Sequence, residues 1–281
     1  MTPNLIDHET LARHRCRARR LARHDDAMFL HRLALADIQE RLLEVNRSFT
    51  ATAVVTGFFE QWQELAPNGR LVADDEVLAL SPGAHDLIVH AMGLHWANDP
   101  LGQLLQCRRA LRPDGLFIAV LPGGRSLHEL RSSLAEAESQ VTGGLSPRVL
   151  PMGEIRDLGA LMQRAGFALP VADCLTTIVE YRDFSALLAD LRAAGETNAL
   201  TGRKRGFTRR PILTEAARIY ARTFARADGR LPATAELVFL TGWAPDSSQQ
   251  QPLRPGSARQ RLADALGTVE ALLPNAVDPT V

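Results

Sequence analysis

The chain has 281 residues, 46% hydrophobic and 23% charged, enough to bury the core of one large domain or two small ones. Thirty-two basic and thirty-two acidic side chains cancel, so no global field draws it to nucleic acid or an anionic membrane, and no apolar run approaches the roughly 18 residues of a membrane helix. The cysteines, Cys16, Cys107 and Cys174, are far apart without C-x-x-C spacing, which argues against a disulfide framework or a zinc site and fits a reducing compartment. Residues 10 to 46 carry Leu11, Leu21, Phe29, Leu30, Leu33, Ile38, Leu42 and Val45 at spacings near three and four, which predicts two helices or one bent one. Asp7 and Glu9 precede the arginines and no apolar core follows, unlike a secretory signal. Arg13, Arg15, Arg17, Arg19, Arg20 and Arg23 form a basic run that reads as a solvated helix face, with Arg13, Arg17 and Arg20 as candidate contacts to an acidic partner.

From residue 51 short apolar runs alternate with helical patterns, the mark of β-α-β units and a parallel sheet. ATAVV (51 to 55) reads as a strand, FFEQWQEL (58 to 65) as a short helix, GRLVA (69 to 73) as a strand and HDLIVHAM (85 to 92) as a buried strand. A helix capped by Asp99 runs through Leu104 and Leu111 to Pro113 and Gly115, and LFIAVLP (116 to 122) is the next strand. Strands 51 to 55, 85 to 92 and 116 to 122 are expected to be parallel. Ser126 and Glu129 read as a capping box starting a helix to about Glu138. After a loop at 143 to 151 come a helix at 154 to 167 stopped by Gly166, two strands near 168 to 173 and 176 to 181, and a helix at 184 to 195 between Asp183 and Gly195. The basic loop 201 to 211 holds Arg203, Lys204, Arg205, Arg209 and Arg210, further candidates for an acidic protein surface. One more helix carries Leu213, Ala217, Tyr220 and Phe224, and ELVFLTGW (236 to 243) closes the strands. The expected organisation is an amino-terminal helical region (1 to 48), an α/β domain (49 to 260, with an α+β elaboration from about 145) and a tail (261 to 281) with a short helix at 257 to 267.

DLIVHAMGLHWANDP followed by a helix ending LRPDGLFIAV resembles the second half of a class I S-adenosylmethionine methyltransferase, where ligands bind at the carboxyl ends of the strands. LHWAND (94 to 99), GGRSLHELR (123 to 131), GGLSPRVLP (143 to 151), DLGALMQRAGF (157 to 167), GETNA (195 to 199), DGRLPAT (228 to 234) and SQQQPLRPGSA (248 to 258) narrow the resemblance. Together they resemble the methyltransferase-like family of NADH dehydrogenase 1 alpha subcomplex assembly factor 5 and its bacterial relatives. The resemblance implies a Rossmann-like sheet and work on respiratory complex I assembly; the mitochondrial member is described as an arginine hydroxylase despite its methyltransferase fold. It also implies a location in the bacterial cytoplasm or the mitochondrial matrix.

Family members with a working cofactor site place D-L-G-x-G-x-G after the first strand, where glycines let the backbone approach the ligand. The corresponding VVTGFFEQW keeps only Thr56 and Gly57, and Phe58 and Phe59 are expected to fill the cleft. Asp74, 17 residues beyond Gly57, and Asp75 stand where a ribose-binding acid or a later acidic segment falls; on the second reading a strand and helix are missing and the sheet is truncated at its front. Two readings follow: a degenerate site with no cofactor expected in the isolated chain and function through protein-protein binding, or a rearranged site that keeps S-adenosylmethionine in an enzyme modifying a protein side chain. His95 and Trp96 read as the cleft wall or as core packing. His85, His90 and His95 recur every five residues, which does not align ligands on a strand, so no metal is expected. Arg125 stands where relatives have an acid, which weakens any carry-over of catalysis. A protein client or partner chain is expected, nucleic acid is not, and the catalytic residues remain unassigned.

Overall fold

A computed structural model describes residues 4–250, 264 and 266–268. Met1–Asp246 form one compact unit and Ser247–Val281 a second, so the amino-terminal helices and the sheet share a single body. Apart from 264 and 266–268, the helix expected at 257 to 267 and the tail at 261 to 281 lie outside the described residues.

Three helices open the chain, α1 (His8–Ala18), α2 (His24–Ala27) and α3 (Phe29–Glu44). There follow β1 (Thr52–Val55), the short α4 (Phe59–Trp62) continued by a 3-10 turn, β2 (Arg70–Val72) and β3 (His85–Ala91). Next come α5 (Pro100–Ala110), β4 (Leu111–Pro122), α6 (His128–Thr142), α7 (Ile155–Arg164), β5 (Ala168–Tyr181), α8 (Phe184–Ala193), α9 (Arg210–Phe224) and β6 (Leu231–Trp243). Asp99 caps α5 by accepting from Gly102 N at 2.8 Å, and Asp183 caps α8 by accepting from Ala186 N at 2.8 Å.

Six strands form one sheet in the order β2-β1-β3-β4-β6-β5. β1, β3 and β4 are parallel as expected, and β6 is antiparallel to both β4 and β5. The period of two along each strand splits the core. Val55, Ile88, Phe117 and Leu240 pack against Leu104 of α5 and Met162 of α7, while Val54, Val89, Ile118 and Phe239 pack against Ile38 of α3 and Trp62 of α4. A third cluster joins Leu130 and Leu134 of α6 to Leu187 of α8 and Ile212 and Tyr220 of α9. Each fully buried leucine, isoleucine or phenylalanine contributes about 1.5–3 kcal/mol.

Several boundaries depart from the sequence reading, among them three amino-terminal helices in place of two or one bent one and an earlier start of β6, and three departures have a clear physical reason. The capping box does not form: α6 starts at His128 after Leu127 with φ of 53°, Ser126 Oγ donates to Glu236 O at 3.0 Å, and Glu129 accepts from Thr234. These long-range bonds to β6 replace the local cap. The two strands read at 168 to 173 and 176 to 181 are one strand, because β6 starts at Leu231 and supplies a partner along the whole length. The R-P-D-G turn lies inside β4 as an irregularity with Asp114 at φ 58°, so the strand begins at Leu111.

Candidate functional site

The chain passes from β2 on one side of β1 to β3 on the other, so the carboxyl ends of β1 and β3 border the topological switch point where open α/β sheets bind ligands. Thr56 continues β1: its N–H donates to Val72 O at 2.9 Å and its hydroxyl accepts from Phe58 N at 3.2 Å. Gly57 follows, and the side chain lying over it belongs to the protein. A Cβ built on Gly57 would lie 2.1 Å from Arg15 Nη1, and Arg19 Nη2 donates to Gly57 O.

Arg15 reaches the crevice from α1, whose buried face carries Leu11, Arg15 and Ala18. It donates two parallel hydrogen bonds to Asp74 beyond β2, at 2.8 and 2.9 Å, and both side chains are 8% exposed. Burial acts to raise the Asp74 pKa, but the charge of Arg15 and its hydrogen bonds outweigh it and hold the carboxyl below its ordinary value. Asp74 in turn needs Gly93 beneath it, since a Cβ there would stand 2.7 Å from its Oδ2. Asp75 is exposed, and its carbonyl accepts from Gln103 Nε2 at 3.0 Å.

Phe58 closes the other side. It is 1% exposed, lies edge-on to His31 at 5.1 Å between ring centroids, and has the Arg15 and Arg19 guanidinium carbons each 5.3 Å from its ring. Phe59 does not fill the cleft, contrary to the sequence reading: it begins α4, where the next residue turns to a different face, and is 40% exposed. His95 and Trp96 lie together behind the crevice, and both bind Glu196 Oε2, at 3.3 and 3.1 Å. His90 pairs with Gln103 Oε1 and His85 with Ala51 O, so the three histidines have separate partners. Among the described residues, no three His, Cys, Asp or Glu side chains gather as metal ligands. Five buried polar atoms around the crevice lack a hydrogen-bond partner: Arg15 Nε, His31 Nε2, His90 Nδ1, His95 Nδ1 and Glu196 Oε1.

The remaining candidates lie elsewhere. Arg13, Arg17 and Arg20 are exposed on or just beyond α1, and Lys204, Arg205, Arg209 and Arg210 are exposed in the loop before α9 and at its start. Arg203 turns inward instead, donating to Asp7 Oδ2 at 2.9 Å and Thr10 Oγ1 at 2.7 Å. Arg125 is exposed, with its backbone N–H donating to Glu236 at 3.1 Å. Sequence reasoning missed Arg15, Glu196 and His31. For Arg15 the signal was present: Leu11, Arg15 and Ala18 share one helical face at spacings of four and three, which sets Arg15 apart from its exposed neighbours.

A family profile described as "Methyltransferase domain" matches residues 22–119, starting after Arg15. The human protein named Arginine-hydroxylase NDUFAF5, mitochondrial, is 36% identical over 208 residues, covering 74% of this chain and 60% of that protein. A Malonyl-[acyl-carrier protein] O-methyltransferase of Laribacter hongkongensis is 35% identical over 184 residues, covering 66% of this chain and 59% of the relative. The chain thus spans about 60% of the length of these relatives. Among solved structures, the YcgJ protein of Bacillus subtilis superposes with a TM-score of 0.45 at 12% identity, over 71% of this chain and 94% of that one. Profile and sequence identity make the chain similar to the methyltransferase-like NDUFAF5 proteins, and its sheet, parallel with an antiparallel end, has the class I S-adenosylmethionine methyltransferase fold.

Proposed function

We propose that this chain acts in respiratory complex I assembly by binding a protein client, with its strand-end crevice closed to S-adenosylmethionine by its own α1 helix. The observation that carries this is the Arg15–Asp74 pair above Gly57. The residues present do not fit the cofactor. The cradle left by the missing Cβ of Gly57 holds a guanidinium, and the acid best placed for ribose hydroxyls already accepts two bonds. An arginine held this way behaves as an internal ligand: it supplies the donors that the acid needs, from a helix that the chain has already ordered.

Client binding then falls to the surface, where Arg13 on α1 and Lys204, Arg205, Arg209 and Arg210 present positive charge to an acidic protein. The relevant compartment is a bacterial cytoplasm or a mitochondrial matrix. A second reading, an enzyme modifying a protein side chain by methyl transfer or hydroxylation, is favoured by one observation. The five orphaned polar atoms around the crevice would gain partners if α1 withdrew and a polar ligand entered.

Equilibrium dialysis of the full chain with labelled S-adenosylmethionine separates the two. The closed-site reading expects no saturable binding below about 1 mM, a loss of roughly 4 kcal/mol relative to a micromolar site. Saturable binding at low micromolar concentration that disappears in Asp74→Ala would establish the second reading instead.

A further inference from the structure

We propose that the protein binds a single-chain amphiphile, a hydrocarbon tail carrying a phosphate head, in a groove between α6, α8 and α9. This goes beyond client binding and holds or fails without it. The groove has a volume of about 410 Å³, within the range of small-molecule sites. Its walls include Leu130 and Leu134 of α6, Leu188 and Leu191 of α8, and Leu213 of α9. Arg148, Glu196, Asn198 and Thr208 also line it but are engaged within the chain, Arg148 with Glu138 and Thr208, Glu196 with Trp96 and Asn198 with Pro147 O. The leucine stretch is thus a surface that a hydrocarbon covers without leaving polar groups unpaired.

The groove is continuous in its walls with a cavity at each end. Leu127, Met152 and Leu191 also line a smaller space of about 80 Å³ that reaches Met92 after β3 and Pro122 at the end of β4. In the other direction Arg192 and Thr197 are shared with a cavity of about 430 Å³ lined also by His14, Arg17, Arg20 and Leu21. Three arginines and no acidic residue line that cavity. Among the described residues, Arg17, Arg20 and Arg192 have no carboxylate partner, whereas many other arginines are paired. His14 is held below its ordinary pKa, first by burial and then, against a bond to Thr197 O, by the positive charges of Arg17, Arg203 and Arg13. The mouth is thus cationic at neutral pH without help from a histidine. Convergent guanidiniums suit a phosphate, whose oxygens accept paired N–H donors. The arrangement places the head at α1 and α8 and points the tail toward the strand ends.

The test is calorimetry on the full chain with monomeric dodecyl phosphate, laurate, dodecanol and inorganic phosphate. Dodecyl phosphate should bind one to one, with inorganic phosphate, laurate and dodecanol each at least tenfold weaker. Shortening the tail should cost about fourfold per methylene removed while the groove is filled. Arg17→Glu with Arg20→Glu and Arg192→Glu, all exposed positions that leave the fold intact, should weaken dodecyl phosphate at least tenfold, more at low salt than at high. Met152→Trp should weaken dodecyl phosphate and leave inorganic phosphate unchanged; if that variant unfolds, the arginine variants and the tail series decide. Equal binding of inorganic phosphate would overturn the tail site, and equal binding of laurate the phosphate assignment. Equal binding of dodecanol, binding only to anionic vesicles or acidic peptides, or no saturable binding of dodecyl phosphate would overturn the proposal.

Discussion

Replacing Arg15 by methionine keeps the length and apolar stem of the side chain and removes the guanidinium. Two short hydrogen bonds to Asp74 are lost, and the carboxylate is left with 8% exposure and no counter-charge. Removing one member of a buried ion pair costs about 3–5 kcal/mol, and the lost contact with the Phe58 ring adds about 0.5–1 kcal/mol. Urea unfolding should show a fall of that size at an unchanged slope, and the melting temperature should drop by about 10 °C. Asp74→Ala should cost a similar amount. The double variant should cost little more than either single one, giving a coupling energy close to the cost of one single variant, about 3–4 kcal/mol. The pH dependence follows from the depressed Asp74 pKa: its contribution is present above the ordinary carboxylate range and is lost as pH falls through the lower value of the folded state. Arg15→Met should therefore flatten the acid limb of the stability profile. Single variants costing under about 1 kcal/mol each and adding without coupling would refute the claim that this pair locks the crevice.

Gly57→Ala should destabilise by about 2–3 kcal/mol by unseating the Arg15 guanidinium, and most of that cost should vanish in the Arg15→Met background, measured by the same unfolding cycle. His31 accepts from Trp62 Nε1 at 3.0 Å through Nδ1, so it is neutral in the fold, and burial lowers its pKa from 6.5 to about 4. Between those two values the unfolded chain takes up a proton that the fold refuses, so stability should fall by about 1.4 kcal/mol per pH unit as pH drops, and His31→Gln should remove that slope. Burial also pushes the Cys107 thiol well above its usual range, so a maleimide should label the exposed Cys16 and Cys174 in the native chain and Cys107 only after unfolding, as counted by mass spectrometry.

The parallel core of the fold is legible in the sequence because it rests on local patterns. Val54 and Val55, or Leu87 and Ile88, point to opposite faces by the period of two, and Asp99 and Asp183 cap the helices they precede. Boundaries decided by distant partners are not legible. Ser126 and Glu129 look like a local cap, yet Glu236 and Thr234 claim them from more than 100 residues away. The crevice was half legible. VVTGFF departs from a glycine-rich loop and Phe58 is indeed buried, and the spacing of Leu11, Arg15 and Ala18 singles out the arginine that turns inward, but no local pattern tells that Asp74, 59 residues further on, awaits it. Glu196 could not be read from GETNA, because its partners His95 and Trp96 lie about 100 residues earlier and only the fold brings them together.

The amino-terminal segment that delivers Arg15 is sewn to the chain's second half. Asp7 N donates to Ala199 O, Thr201 N donates to Leu5 O, and Asp7 accepts from Arg203 across a separation of 196 residues. Closing a loop of that length carries an entropic cost of about 5 kcal/mol in its length-dependent part, so contacts of this kind form late. The order of synthesis therefore matters: residues of the crevice leave the ribosome before the stretch that ties α1 down. Pulse-labelled hydrogen exchange should find the amides of Asp7 and Thr201 protected after those of β1 and β3. During that interval Gly57 and Asp74 belong to an open surface, and a molecule that engages them then would meet a different protein from the finished one.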